Sequence, residues 1–136
     1  MNKRFELTIL RDMGDERGSM CVIEAEKELP FPVKRVFYDF ASAQSKSRGN
    51  HANQKSKFAF ISLAGACSVS VDDGVFRETF RLDDPHKMLC VDKMVWKTMD
   101  LFTPDNVLLV ISDQSYDPSE YIHDYEKFTE MCAEKR

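Results

Sequence analysis

Apolar and polar residues alternate with a period of two along most of this 136-residue chain, the pattern of β-strands with one buried and one open face. Residues 5–10 and 19–24 read as strands, with Arg17-Gly18-Ser19 turning the chain between them. Residues 33–40 form a third strand after the turn-like Leu29-Pro30-Phe31-Pro32. A polar run over 41–57 leads into the strand formers 58–63, and Ala64-Gly65 makes a turn. Asp73-Gly74 predicts a two-residue type I′ hairpin, whose central positions both need positive φ, so 75–82 should pair back on 66–71. Beyond Asp83-Asp84-Pro85, three more strands follow at 88–91, 95–101 and 107–112, the last continuously apolar. About nine short strands at near-regular spacing predict an all-β sandwich or barrel. The end differs: Tyr121, Ile122, Tyr125, Phe128, Thr129 and Cys132 fall at helical spacing, which predicts one amphipathic helix over 119–134 capped by Ser119 or Asp117.

The length suits one domain, residues 1–136, with a core of its own. Lys plus Arg number 19 and Asp plus Glu 23, a net charge of -4 that gives no global reason to expect nucleic acid or an anionic membrane as partner. No run of 18 apolar residues and no signal-peptide pattern is present, so the expectation is a soluble, cytoplasmic protein. Cys21, Cys67, Cys90 and Cys132 form no CxxC pair, and three sit among apolar neighbours, as reduced structural thiols do.

Barrel building leaves one stretch unexplained: Arg48-Gly49-Asn50-His51-Ala52-Asn53-Gln54-Lys55-Ser56-Lys57, a polar run with a histidine at the entrance to a buried strand. Strict alternation puts Arg48, Asn50 and Ala52 on one face and Gly49, His51, Asn53 and Lys55 on the other. With the second face turned into a barrel, His51 and Asn53 share one cavity, and small barrels hold one small ligand there.

Six stretches carry a family likeness: RGNHANQKSKF from Arg48, LAGACSVSVDDG from Leu63, MVWKTMDLF from Met94, VLLVISDQSYDPSEYIHDYEKF from Val107, ERGSMCVIE around Arg17, and LPFPVKRVFYDF from Leu29. In order, over nearly the whole chain, they resemble the sugar 3,4-ketoisomerases, cupin-fold enzymes acting on thymidine-diphosphate-linked 4-keto-6-deoxyglucose in deoxyamino-sugar pathways. The resemblance implies a cupin-like jelly-roll barrel with one C-terminal α-helix, a homodimer with exchanged N-terminal strands, no metal or other cofactor, and a pocket for a nucleotide-linked sugar. The family pattern Arg-Gly-x-His-Ala-His keeps its first histidine as His51 and has Asn53 for the second; a segment that commonly reads Val-Trp-His reads Val95-Trp96-Lys97. Asparagine moves no proton near neutrality, but it hydrogen-bonds a hydroxyl or carbonyl.

A 4-keto sugar becomes a 3-keto sugar when a base takes the acidified C3 proton, an enediolate forms and a proton returns at C4. One base can make both transfers, and imidazole, with an ordinary pKa of about 6.5, works in either direction. His51 is the candidate base, Asn53 and Tyr38 orient the sugar, Lys97 or Arg17 stabilises the enediolate, and Arg48 lies near the phosphates. Each assignment has a plainer rival. Arg35 either contacts ligand or pairs with Asp39 or another carboxylate, and Arg48 either binds phosphate through its planar fork or pairs with an acid. Tyr38 and Trp96 stack on a base or sugar, or join the core. Lys97 is a pocket cation or a charge that guards a sheet edge. His86 and His123 read as surface residues beside Asp84 and Asp124. Two other functions stay open: a non-catalytic cupin that binds a sugar nucleotide or a partner protein, and an isomerase or epimerase for a different keto sugar. A cupin metal site needs more ligands than His51, and Lys57 and Lys97 stand where a carboxylate and a last histidine would be.

Overall fold

The alternating segments become two five-stranded antiparallel sheets in the computed structural model, which describes residues 2–135. The elements are β1 (Phe5–Ile9), β2 (Arg35–Phe40), β3 (Arg48–Asn53), β4 (Phe58–Ala64), β5 (Cys67–Asp72), β6 (Arg77–Leu82), β7 (Lys87–Val91), β8 (Trp96–Asp100), β9 (Val107–Ser112), β10 (Tyr121–Ile122) and α1 (Tyr125–Lys135). One sheet has the order β1-β7-β4-β9-β2 and the other β10-β3-β8-β5-β6. Phe58 and Phe60 of β4, Val69 and Val71 of β5, and Leu108 and Val110 of β9 fill the space between the sheets. This is the cupin-like jelly roll with a single C-terminal helix that the alternation and the family resemblance predict. Among the described residues, no helix is long and apolar enough to cross a membrane.

The outer faces are covered too, which explains why β4 is apolar on both sides. Ala59 and Ile61 of β4, with Met88 and Ile111, pack against Leu10, Leu29 and Phe31 of the segment 10–34. Across the other sheet, α1 lays Phe128 and Cys132 on Ala52, Met94 and Ile122.

Three local expectations are corrected. Residues 19–24 form no strand. Their alternation is satisfied by Cys21 and Ile23 packing flat on the outer sheet face, without a ladder. The β5–β6 hairpin pairs the expected segments, but Asp72 opposes Arg77, leaving the four residues Asp73–Phe76 in the loop rather than two. There the Asp73 carboxylate accepts the Val75 and Phe76 amides, and only Gly74 of the four takes positive φ. The helix starts at Tyr125 rather than at residue 119. Asp117 caps a short 3-10 turn, Tyr121 and Ile122 pair with β3, and Asp124 accepts the Glu126 amide to cap α1.

His86, expected at the surface beside Asp84, also ties the segment 10–34 to the sheet. Its ring nitrogens meet Asp12 at 2.9 Å and Asp84 at 2.6 Å, and Asp12 also accepts the Gly14 and Met20 amides. The Asp12 contact first and the Asp84 contact second raise the His86 pKa above its ordinary 6.5. The latch is therefore fully present below about pH 6.5 and is lost as pH rises through the higher folded value. We expect the Gly14 and Met20 amide NMR shifts to titrate with His86, and His86→Asn to abolish that titration. Amides that stay still from about pH 5 to 9 would contradict the latch.

Candidate active site

A one-residue bulge shapes the site. Arg48 pairs with Met99 and Gly49 with Thr98, but His51, not Asn50, pairs with Lys97. Asn50 is the extra residue: it takes φ of 57° after Gly49 at 81°, and its side chain meets Ser47 and Thr98. The slip reverses the face of everything before it. Arg48 joins His51 on the inner face, which corrects the strict alternation that had separated them. Gly49 is required here, because a Cβ would lie 2.9 Å from the Lys97 carbonyl oxygen in left-handed backbone. We expect Gly49→Ala to cost about 1–3 kcal/mol, read as a lower Tm.

The inner face opens into a cavity of about 180 Å³ lined by His51, Arg48, Lys97, Tyr121, Phe58 and Asp39, among others. That is smaller than the roughly 300–1,000 Å³ of drug-sized sites, so it fits a sugar ring and leaves a nucleotide at the mouth. Two larger clefts, of about 480 and 470 Å³, lie by Phe5 and Phe31 and on the outer side of β5–β6. Neither contains a histidine. The smaller cavity is the chemical one, because an imidazole and a buried amine converge in it.

His51 Nδ1 lies 3.0 Å from the Gly49 carbonyl oxygen. A carbonyl only accepts, so Nδ1 carries the proton and Nε2 has the free lone pair. Burial first, then the nearby Lys97 charge, bring the His51 pKa down to about 4, so the ring is neutral and basic at pH 7. Tyr121 packs on it at 4.7 Å between ring centroids and His123 at 5.9 Å.

Lys97 is 2 % exposed, and its ammonium donates to Asn53 Oδ1 at 3.0 Å and to the Val95 carbonyl at 3.1 Å. It also sits 4.8 Å from the Phe58 ring centroid. Of the two readings of Lys97, the structure shows the pocket cation rather than an edge charge: β8 lies inside its sheet, between β3 and β5. Burial lowers its pKa to about 7, with Glu120 opposing the shift. Asn53 is fully buried; its Nδ2 has no partner in hydrogen-bond geometry among the described residues, though it still favours the Glu120 charge.

Arg35 points inward from β2 and lies over the rings of Phe37, Phe58 and Tyr116. Its Nε and Nη2 are buried without an acceptor among the described residues. Asp39, one rival partner for Arg35, is taken by Arg48 at 2.9 Å. Arg48 thus pairs with an acid while still lining the cavity.

Two predicted contacts fall outside this chain's own cavity. Tyr38 projects from the other face of β2, 62 % exposed, because Phe37 and Asp39 take the inward positions. Arg17 sits on an exposed turn, its side chain 87 % accessible and bound to Asp15. Trp96 packs against Tyr125 and Phe128 and belongs to the α1 seam.

Sequence reasoning missed Glu120, Tyr121 and the placement of His123. Glu120 is buried and accepts the Lys55 and Ser56 amides and the Ser56 hydroxyl, fastening the β3–β4 connection beside Asn53. Burial would raise its pKa, but the Ser56 and backbone donors win and lower it. No local pattern announces a carboxylate whose partners lie 64 residues away. Among the described residues, no three His, Cys, Asp or Glu side chains come together as a metal-ligand set.

Comparison with known proteins gives the family. The family profile described as FdtA: WxcM-like, C-terminal matches residues 3–133. TDP-4-oxo-6-deoxy-alpha-D-glucose-3,4-oxoisomerase of Aneurinibacillus thermoaerophilus is 38% identical over 119 residues, covering 88% of this chain and 86% of the relative. The TDP-fucose-3,4-ketoisomerase WlaRA of Campylobacter jejuni superposes with a TM-score of 0.90 at 35% identity, over 95% of this chain and 96% of the other. A mutant of the 3,4-ketoisomerase QdtA of Thermoanaerobacterium thermosaccharolyticum, solved with TDP-4-keto-6-deoxyglucose, superposes with a TM-score of 0.93 at 27% identity, over 99% and 98%. A match over residues 3–133 takes in both sheets, the bulged β3 and most of the helix, and by it the chain belongs to the FdtA-like sugar 3,4-ketoisomerase family.

Proposed function

We propose that this protein is an isomerase that moves the keto group of a thymidine-diphosphate-linked 4-keto-6-deoxyhexose from C4 to C3, acting as a cytoplasmic homodimer. The observation that carries the reading is His51: a neutral imidazole with Nδ1 committed to Gly49, lining a sugar-sized cavity opposite a buried ammonium. His51 takes the C3 proton as the C3–H pair forms C3=C4 and the carbonyl pair moves onto O4; a proton then passes from O3 to O4 as the O3–H pair forms the C3 carbonyl, and the C3=C4 pair takes the imidazolium proton at C4. Lys97 stabilises the enediolate charge in a low-dielectric site, where a fixed charge acts strongly. Asn53 holds Lys97 in place and offers its amide to a sugar oxygen. Arg35, whose buried Nε and Nη2 find no acceptor among the described residues, is the group best suited to a diphosphate; leaving each nitrogen unpaired costs about 1–3 kcal/mol. Arg48, held by Asp39, lines the cavity itself.

Val36, Tyr38 and Phe40 support a second copy. They expose 55%, 62% and 64% of their surface on the outer face of the edge strand β2, an apolar row that soluble monomers avoid. Arg17 and Tyr38 stand on surfaces open to that copy. Phe40→Asp should convert the dimer to a monomer in light scattering, and an unchanged mass would refute this placement. Free thiols at Cys21, Cys67 and Cys90 fit a reducing compartment.

The test is direct. Incubated with TDP-4-keto-6-deoxyglucose labelled with ¹³C at C3 and C4, the protein should shift the carbonyl signal from C4 to C3. Saturable binding with no new carbonyl would instead make the protein a binding module.

A further inference from the structure

We propose that Lys97 is a second catalytic residue, moving the oxygen-bound proton between O3 and O4 of the keto sugar while His51 moves the carbon-bound one. The proposal rests on the ketoisomerase reading. The isomerisation relocates two protons: one leaves C3 and one arrives at C4, while one leaves O3 and one arrives at O4. A single imidazole serves the carbons, and the oxygens need a group of their own.

Lys97 is placed for that task. It pairs directly across the sheet with His51, lines the same cavity, and among the described residues has two of its three N–H donors committed, to Asn53 and the Val95 carbonyl. Apolar neighbours press on the amine. Phe58 lies beneath it, and Met99 and Phe60 line the cavity with it. The charged and titratable groups around it are His51 and Arg48 on β3, Arg35 and Asp39 on β2, and Glu120, Tyr121 and His123 near β10. Asp39 is held by Arg48, and Glu120 by Ser56 and two backbone amides, so neither neutralises Lys97 through a direct ion pair. Burial accordingly brings its pKa to about 7, where ammonium and amine are both accessible.

In the first step His51 Nε2 takes the C3 proton. The C3–H pair becomes the C3=C4 bond, and the carbonyl π pair moves to O4, which takes a proton from the Lys97 ammonium. An enediol, an imidazolium and an amine result. In the second step the Lys97 amine takes the O3 proton, that O–H pair becomes the C3 carbonyl, and the C3=C4 pair takes the imidazolium proton at C4. Both side chains return to their starting states. Throughout, the pair carries one positive charge, which suits two basic groups close together in a dry site.

Three measurements test it. The kcat/KM of the wild type should rise as His51 loses its proton above about pH 4 and fall as Lys97 loses its own above about pH 7. Lys97→Arg keeps the charge but cannot release a proton near neutrality; it should lose the alkaline limb and at least about 100-fold in turnover, while deuterium exchange at C3 stays within about tenfold of wild type. Lys97→Met, with no charge, should lose both turnover and exchange, and melting curves show that both variants fold. In the ligand-free protein, the Lys97 Cε NMR signal, identified by its loss in Lys97→Met, should titrate with a midpoint near 7.

A midpoint near the ordinary 10.5, or Lys97→Arg turnover within about threefold of wild type, overturns the proposal and leaves the ketoisomerase reading intact. A wild type that titrates near 7 but never isomerises the sugar overturns that reading, and the assignment to sugar oxygens with it.

Discussion

His51→Gln is expected to lower kcat on TDP-4-keto-6-deoxyglucose by about 10³-fold, within the range of about 10²–10⁴ that a positioned general base supplies, with little change in Tm. The two effects separate because glutamine can still donate to the Gly49 carbonyl and fill the space beside Tyr121, but its amide binds no proton at neutral pH. Since His51 titrates at about 4, wild-type activity should hold down to about pH 5, and the residual rate of His51→Gln should lack that acid limb. Steady-state kinetics and a thermal melt read both quantities. A fall in Tm as steep as the fall in rate would mean that His51 acts through the fold.

The second large effect concerns stability. Glu120→Ala should cost about 3 kcal/mol, a Tm lower by about 10 °C, because the Lys55 amide, the Ser56 amide and the Ser56 hydroxyl lose their shared acceptor inside the protein. Glu120→Gln keeps an acceptor for the amides and should recover more than half of that loss. The carboxylate is held below its ordinary pKa, so this stabilisation is present above the unfolded value near 4.5 and is lost as pH falls through the lower folded value. Wild type should therefore lose more stability than Glu120→Gln on acidification. Both variants should also lower the Lys97 pKa further, since Glu120 is the charge that opposes its burial. Chemical denaturation across pH reads the first effect and the kcat/KM profile the second.

The fold was largely legible because period-two alternation records burial on one sheet face, as β2 and β8 show. It misled where the same pattern was met without a ladder. Cys21 and Ile23 alternate because they lie on a sheet rather than in one. Helical spacing likewise ran too far back: Tyr121 and Ile122 satisfy it, yet they pair with Asn53 and Ala52. The site was partly legible. His51, Asn53 and Lys97 follow from alternation and resemblance, and the structure brings all three together. Arg48 was placed on the wrong face because one bulged residue, Asn50, reverses the parity of the strand. Tyr38 was misplaced because the parity of β2 is set by Arg35, Phe37 and Asp39 turning inward. Glu120 had no local signal at all, because its role comes from contacts distant along the chain.

The central claim is that one neutral imidazole moves hydrogen between adjacent carbons of a keto sugar. Wild type and His51→Gln, each incubated with TDP-4-keto-6-deoxyglucose in deuterium oxide, test it by NMR at C3 and C4. Rapid deuterium uptake by wild type and uptake slowed by about 10³ in the variant is the expected result. Equal uptake by the two proteins would place the base elsewhere and contradict the account.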